Sequence, residues 1–370
     1  MVLDLQRDWG LAENSVGYIT SAVQLGFISG TLAFAFLAIA DRFSPRWVFF
    51  ICSLIGALAN IALLVAPEGL PGLLLLRFAT GFFLAGIYPV GMKIAAGWYE
   101  KGLGRALGYL VGALVLGTAF PHLIRSTGTE LPWQQVMIGV SVLALAGGVL
   151  MLVAVPDGPY LPKKSPFDPR VLGIIFRSKR FRASAFGYFG HMWELYTLWA
   201  FMPTWLLAYS EIKGISFNVP LWSFLVIAIG FFGCAGGGVI SAKTGSAKVA
   251  AIQLAVSGIC CLLSPLFFNA EFTVFILFLF IWGITVIGDS PQFSALNAEN
   301  APREYVGSAL TIANSIGFLI TVFSIQLINS LLPVIGPEYI FWLLIPGPVI
   351  GLWMLKPLFR IGGPVAHTRD

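Results

Sequence analysis

Few side chains in this 370-residue sequence can do chemistry, and most of those stand inside long apolar runs. Arg77, His191, Glu194 and Asp289 are the ionisable groups placed furthest from any polar segment. A charge near the centre of a membrane span costs at least ~2.5–3.5 kcal/mol, so each of the four is expected to face a partner or a cavity. His191 and Glu194 are three residues apart, which puts them on one helix face within reach of a shared proton. Arg77 is suited to attract an anionic group or to pair with a carboxylate. Tyr88, Trp199 and Gln292 add aromatic surface and hydrogen-bonding capacity, the usual lining of a small-molecule site. Such a set binds a solute and moves a proton. Nothing in it points to bond-making catalysis: no Cys-x-x-Cys, His-Glu-x-x-His, Gly-x-x-x-x-Gly-Lys or Gly-x-Ser-x-Gly string occurs. No catalytic residue, cofactor or metal ligand is therefore expected, and the chain does not read as an enzyme. Cys52, Cys234, Cys260 and Cys261 all lie in apolar runs and read as small core residues.

The elements that hold these groups follow from composition. With 58% hydrophobic and only 11% charged residues the sequence lies outside the range of water-soluble domains. Apolar runs at about 15–40, 47–66, 70–96, 104–124, 134–155, 183–209, 217–242, 249–269, 272–298, 306–332 and 338–358 predict eleven transmembrane helices, an all-α polytopic fold. Of the 22 lysines and arginines, all but Arg7, Arg125, Lys213 and the intramembrane Arg77 fall on one side of that arrangement. The asymmetry assigns that side to the cytoplasm and the protein to a cell membrane. The net charge of +5 thus orients the chain in a bilayer, and without a basic patch interleaved with aromatics no nucleic-acid partner is expected. The expected organisation is a first bundle at 1–155, a basic, proline-containing cytoplasmic linker at 156–182 in which Asp168-Pro169 opens a short interfacial helix, a second bundle at 183–358 and a cytoplasmic tail at 359–370.

The two bundles look like copies of one another. Leu37–Arg46 aligns with Gly238–Ala247, Gly86-Ile87-Tyr88-Pro89 with Gly288-Asp289-Ser290-Pro291, and Gly104-Arg105-Ala106-Leu107 with Gly307-Ser308-Ala309-Leu310, all at offsets of about two hundred positions. Shifted back by that offset, the helix at 183–209 has no counterpart in the chain. The expected architecture is therefore twelve helices in two pseudo-symmetric sixes, lacking the first.

With these features the sequence resembles the major facilitator superfamily over about residues 15–358. Asp41, Arg42 and Arg46 stand where the family signature Gly-x-Leu-Ala-Asp-Arg-x-Gly-Arg-Arg has its charges, although Leu37 and Ser44 replace the two glycines. Arg77, Gly81 and Ala85 match a second family pattern, Arg-x-x-x-Gly-x-x-x-Ala. The resemblance implies a secondary transporter that works by alternating access on a small organic or anionic solute, with a proton as coupling ion and a monomer sufficient for activity. A membrane sensor that kept the fold and lost transport is the alternative. It also implies that Arg77, Glu194 and Asp289 face a central cavity, and that Asp41 gates the cytoplasmic side by meeting the helix that opens near Val306-Gly307-Ser308, with Arg42 or Arg46 as the accompanying cation. Two glycine stripes, Gly104/Gly108/Gly112 and Gly230/Gly233/Gly237, are expected to pack against each other across the halves.

Overall fold

The computed structural model describes residues 8–11, 15–66, 68–99, 101–128, 132–160 and 170–360. Among them every regular element is a helix. The first half comprises α1 (Ser15–Phe36), α2 (Pro45–Ile61), α3 (Leu70–Leu84) continued by α4 (Tyr88–Trp98), α5 (Leu103–Ser126) and α6 (Trp133–Ala154). The second comprises α7 (Lys179–Lys213), α8 (Val219–Ala228) continued by α9 (Gly230–Thr244), α10 (Ser246–Phe268), α11 (Phe272–Gly288) continued by α12 (Ser290–Asn300), α13 (Val306–Ile335) and α14 (Pro346–Arg360). Nine of these described stretches are long and apolar enough to cross a bilayer by length and composition. α1, with 22 residues, and α7, with 35, supply the other two expected spans. At about 1.5 Å per residue both exceed the ~30 Å of hydrocarbon they have to cross. α7 is left out by composition because polar residues, His191 and Glu194 among them, interrupt its apolar run. Of the connecting segment, a helix Val171–Arg177 is described. Asp168 and Pro169, expected to open it, and the tail at 361–370 lie outside the described residues.

Local chemistry sets the element ends. A proline occupies the first turn of α2, α3, α4, α8 and α12, where its missing N–H costs nothing. Ser178 caps α7 by accepting from the Phe181 N–H, and Asn218 caps α8 by accepting from the Leu221 N–H. The two repeat-related strings at Gly86–Pro89 and Gly288–Pro291 have a visible structural meaning. Each interrupts a span, α3 giving way to α4 and α11 to α12 at matching depths. Broken helices in corresponding places of two halves are the usual mark of a transport path, because freed backbone groups survive only where protein or water satisfies them. A further break, at Ala38, has no counterpart in α9. Ala38 adopts a left-handed conformation (φ 49°) and starts the one-turn helix Ile39–Arg42 that ends in Asp41 and Arg42.

The halves meet along α1–α13 and along α5 against α8, α9 and α12. α5 presents its glycines to the other half as expected: a Cβ added at Gly108 would fall 2.6 Å from the Cys234 carbonyl oxygen. The partner stripe differs from the expected one. Phe231, Cys234, Gly238 and Ser241 of α9 stand beside the α5 glycines and Gly230 approaches Val115 of α5, whereas the space beside Gly233 and Gly237 is filled by Ile284 and Gln253 of their own half. Small residues on α9 serve two neighbours at once, and spacing alone does not say which glycine serves which.

The consequence is testable by thermal unfolding of the purified protein. Gly108→Ala must push two backbones apart, an overpacking cost of about 1–3 kcal/mol, and should lower the apparent melting temperature. Gly117→Ala, on the same helix with nothing within 4 Å of the added carbon, should leave it unchanged or raise it. Equal behaviour of the two variants would mean that the α5–α9 contact does not depend on the missing side chain.

Candidate functional site: a contact between the halves, a cavity and a buried histidine–aspartate pair

Asp41 lies at the end of the bundle that carries most of the lysines and arginines, here termed the basic face. It is 6% exposed. One carboxylate oxygen, Oδ2, accepts from the Ser308 backbone N–H at 3.0 Å and from the Ser308 hydroxyl at 2.7 Å. Ser308 belongs to the first turn of α13, whose own flanking residue Tyr305 provides no side-chain cap. The carboxylate thus does for α13, from the opposite half, what a capping residue does within one chain segment: it satisfies an orphan N–H and meets the positive end of the helix dipole. Val306-Gly307-Ser308 is the helix opening anticipated from the sequence. The cation differs from the one anticipated. Lys93 of α4, 4% exposed, bonds Asp41 Oδ1 and the Ala40 carbonyl. Arg42 instead lies exposed over the Phe43 ring, and Arg46 has a buried Nε without a hydrogen-bond partner. Lys93 reaches Asp41 because α4 packs on α13 beside the one-turn helix. Gly307 is required here, since an added Cβ would sit 3.0 Å from both the Asp41 carboxyl carbon and Lys93 Cδ.

Above this gate Met92, Leu103 and Leu107 of the first half close on Ala295, Ala298 and Leu310 of the second. Tyr88 packs against that cluster, and Gln292 lies buried with its amide nitrogen 3.5 Å from the Gly104 carbonyl across the halves. Higher still, Phe27 of α1 meets Phe318 of α13 with ring centres 4.5 Å apart, and Phe318 meets Tyr196 at 5.0 Å. Past this aromatic layer, in the half of the bundle away from the basic face, the halves enclose a cavity of about 450 Å³. Gln24 of α1, His122 of α5, Tyr196 and Trp199 of α7, and Gln326 and Asn329 of α13 line it.

The expected site residues therefore separate into distinct places. Trp199 lines the cavity; Tyr88 and Gln292 lie in the closed contact beneath it. Arg77, 8% exposed, points into the first half, where its guanidinium lies 3.2 Å from Met137 Sδ of α6. Among the described residues it has no carboxylate partner and does not border the cavity. The expected pairing of His191 with Glu194 is also replaced. His191 Nδ1 lies 2.7 Å from Asp289 Oδ1, both side chains 1% exposed, at the break between α11 and α12. Glu194 turns towards α10 and α11, where its Oε1 accepts from Trp282 Nε1 at 2.8 Å and from the Ser257 hydroxyl, with Cys261 Sγ at 3.3 Å. A three-residue spacing establishes a shared face; it leaves open which neighbouring helix supplies each partner. Sequence reasoning missed Gln24, Gln326, Asn329 and the cavity position of His122, although Gln326 and Asn329 stand three apart in an apolar helix and so mark one polar face.

A family model for the major facilitator superfamily matches residues 1–325. The chain is a member of that superfamily. Among solved structures it is similar to the human organic anion transporter MFSD10 (TETRAN), with a TM-score of 0.71, 15% identity, and 95% of this chain and 87% of the other covered. It is also similar to a single-substitution variant of the E. coli fucose:proton symporter FucP, with a TM-score of 0.71, 13% identity, and 97% and 94% covered. No curated protein sequence matches. At these identities the two structures establish a shared fold; the family model and the long apolar helices make the chain a multi-pass membrane transporter of this superfamily.

The gate predicts a non-additive pattern. With the four native cysteines replaced and a reporter cysteine at Ala298, which is 7% exposed in the closed contact, alkylation should be slow in the parent. Asp41→Asn strands Lys93 and Lys93→Met strands Asp41; breaking a buried pair costs about 3–5 kcal/mol, so each should speed labelling at least tenfold. The double variant should be labelled more slowly than either single. Arg42→Gln and Arg46→Gln should match the parent. Additive effects of the two gate changes, or a strong effect at Arg42, would refute Lys93 as the partner.

Proposed function

We propose that the protein carries a small organic solute across a cell membrane by alternating access, and that a proton drives the movement. One observation carries the reading: the path between the halves is shut at the basic face by Asp41, Lys93 and Ser308 and widens into a cavity on the other side. The lysine and arginine asymmetry favours the basic face, and with it the chain's C-terminal end, lying in the cytoplasm. The structure then represents the outward-facing member of a pair of states. In the inward-facing member Asp41 releases α13, the contact around Met92 and Leu310 opens, and Tyr88 and Gln292 become part of the solute path.

The proton is assigned to the buried pair on the second half. His191 Nδ1 and Asp289 Oδ1 are within hydrogen-bond distance, and the pair joins α7 to the break between α11 and α12. A proton moved onto Asp289 removes the charge that holds the imidazole, so protonation and the packing of those helices are linked. Glu194 and Cys234 are the other titratable groups that feel the charge of Asp289. Tyr188, on the turn before His191, is held by Asn314 of α13 at 2.7 Å. Glu194, with its hydrogen bonds to α10 and α11, serves as the second acid of the network.

Proteoliposomes with an entrapped pH indicator test the coupling. When the protein is challenged with a library of small organic solutes, at least one should produce solute-dependent proton movement. Asp289→Asn and His191→Gln should abolish that movement while leaving exchange of pre-loaded solute, and Glu194→Gln should reduce it. Full proton movement in the Asp289 and His191 variants would contradict the assignment.

A further inference from the structure

The cavity lining carries a chemical signature of its own. Its polar side chains are Ser21 and Gln24 of α1, Gln326 and Asn329 of α13, which packs against α1, Thr118 and His122 of α5, and Tyr196 of α7. No aspartate, glutamate, lysine or arginine is among the described lining residues. The one intramembrane arginine of the first half is turned away to Met137, and the acids of the second half are held by His191 and by Ser257 and Trp282. An ion taken out of water needs a fixed counter-charge or pays a large desolvation cost, and among the described lining residues only His122 could carry one.

What the cavity does offer is hydrogen bonding in both directions. Gln24, Gln326 and Asn329 each present an amide that donates and accepts, and the Ser21 and Tyr196 hydroxyls do the same. None of these five side chains has a hydrogen-bond partner within the protein among the described residues, whereas Thr118 bonds the Leu114 carbonyl of its own helix. Their capacity is left for whatever enters. On one side Tyr196 and Trp199 stand edge to face with ring centres 5.5 Å apart, giving an aromatic surface beside that polar rim. Ala200, Ile227 and Ile325 complete the apolar part. A ligand with hydroxyls around its edge and C–H groups on its face satisfies both surfaces at once. The volume of about 450 Å³ lies in the range of small-molecule sites, roughly 300–1,000 Å³.

We infer that the solute is a neutral, polyhydroxylated ring compound, of the monosaccharide, cyclitol or small glycoside class, held by Gln24, Gln326 and Asn329 with one face on Trp199 and Tyr196. The inference rests on the reading of the cavity as the solute site of a transporter, and its test separates the two. Calorimetric titration of the purified protein in detergent uses, as probes, a panel of hexoses, cyclitols, disaccharides and methyl glycosides, a panel of mono- and dicarboxylates, and a panel of quaternary ammonium compounds. At least one neutral polyol should bind saturably, with the same affinity in low and high salt because no charge is paired. Gln326→Ala on α13 and Gln24→Ala on α1 should each weaken that binding by roughly tenfold, and Trp199→Ala by as much. The melting temperature of each unliganded variant reports that it is folded, a control that Trp199→Ala needs most because Trp199, 7% exposed, packs in the core as well as lining the cavity. Saturable binding of a carboxylate or ammonium probe with steep salt dependence overturns the inference. So does the absence of any polyol binding, or wild-type affinity in the folded glutamine variants. Polyol binding without flux in proteoliposomes would sink the transport reading and leave the ligand class standing; flux of charged solutes alone would do the reverse.

Discussion

A helix that ends inside a membrane protein leaves backbone N–H groups with nothing to bind, and hydrocarbon supplies no water to relieve them. α13 resolves this at Ser308 with a carboxylate borrowed from the other half of the molecule. Because the acceptor belongs to a different half, the cap is made only when the two halves approach at the basic face. A helix-end charge is worth about 0.3–2 kcal/mol; a buried Asp41–Lys93 pair adds a penalty for any state in which one member is left dry and alone. When the halves part, both groups reach water together. The contact is therefore strong enough to select a state and weak enough to be given up, which is the energetic requirement for a gate.

The remaining architecture follows from keeping that contact reversible. α5 and α9 approach through Gly108, Cys234 and Gly238, surfaces with little side chain to unlock, so the halves can tilt while staying in contact. In the proposed cycle, closing the basic face by such a tilt opens the other, where the cavity lies between α1, α5, α7, α8 and α13. Phe27, Phe318 and Tyr196 form its floor, so the layer that seals the path also borders the site. The charged groups of the second half lie behind the cavity wall, on the inner sides of α7, α11 and α12. In the proposed reading, ligand contacts and proton-active groups would occupy different surfaces of α7, with Trp199 on one and His191 with Glu194 on another.

Most of the fold was legible because membrane spans obey one rule. A run of about twenty apolar residues has to be a helix, and even α7, with its polar residues, kept enough of that signal. The Gly-to-Pro strings were legible as repeat matches but not as breaks, since 70–96 and 272–298 each read as one continuous apolar span. The gate was half legible. Asp41 and the helix opening at Ser308 are local features, whereas Lys93 sits at the end of a span and reads as an ordinary loop charge until α4 is placed beside α13. His191 illustrates the general limit, since its partner Asp289 is remote in sequence and only packing brings them together. Arg77 is the converse case: burial was expected, but a thioether as its neighbour is not something charge logic suggests. The amides of the cavity drew no notice because uncharged polar residues carry a much smaller penalty in a span than charged ones, although Gln326 and Asn329 on one face of α13 were a usable signal.

The central claim is that closure at the basic face and opening at the other are one motion. Pulsed electron resonance between spin labels measures it directly in reconstituted protein, with one pair at the exposed positions Arg42 and Arg303 on the basic face and a second at Arg125 and Val334 on the opposite face. Both pairs span the two halves. The account predicts two distance populations for each pair that change in opposite senses: introducing Asp41→Asn should lengthen the Arg42–Arg303 distance and shorten the Arg125–Val334 distance in the same fraction of molecules. Distances that stay fixed at one face while changing at the other, or that lengthen together, would contradict it.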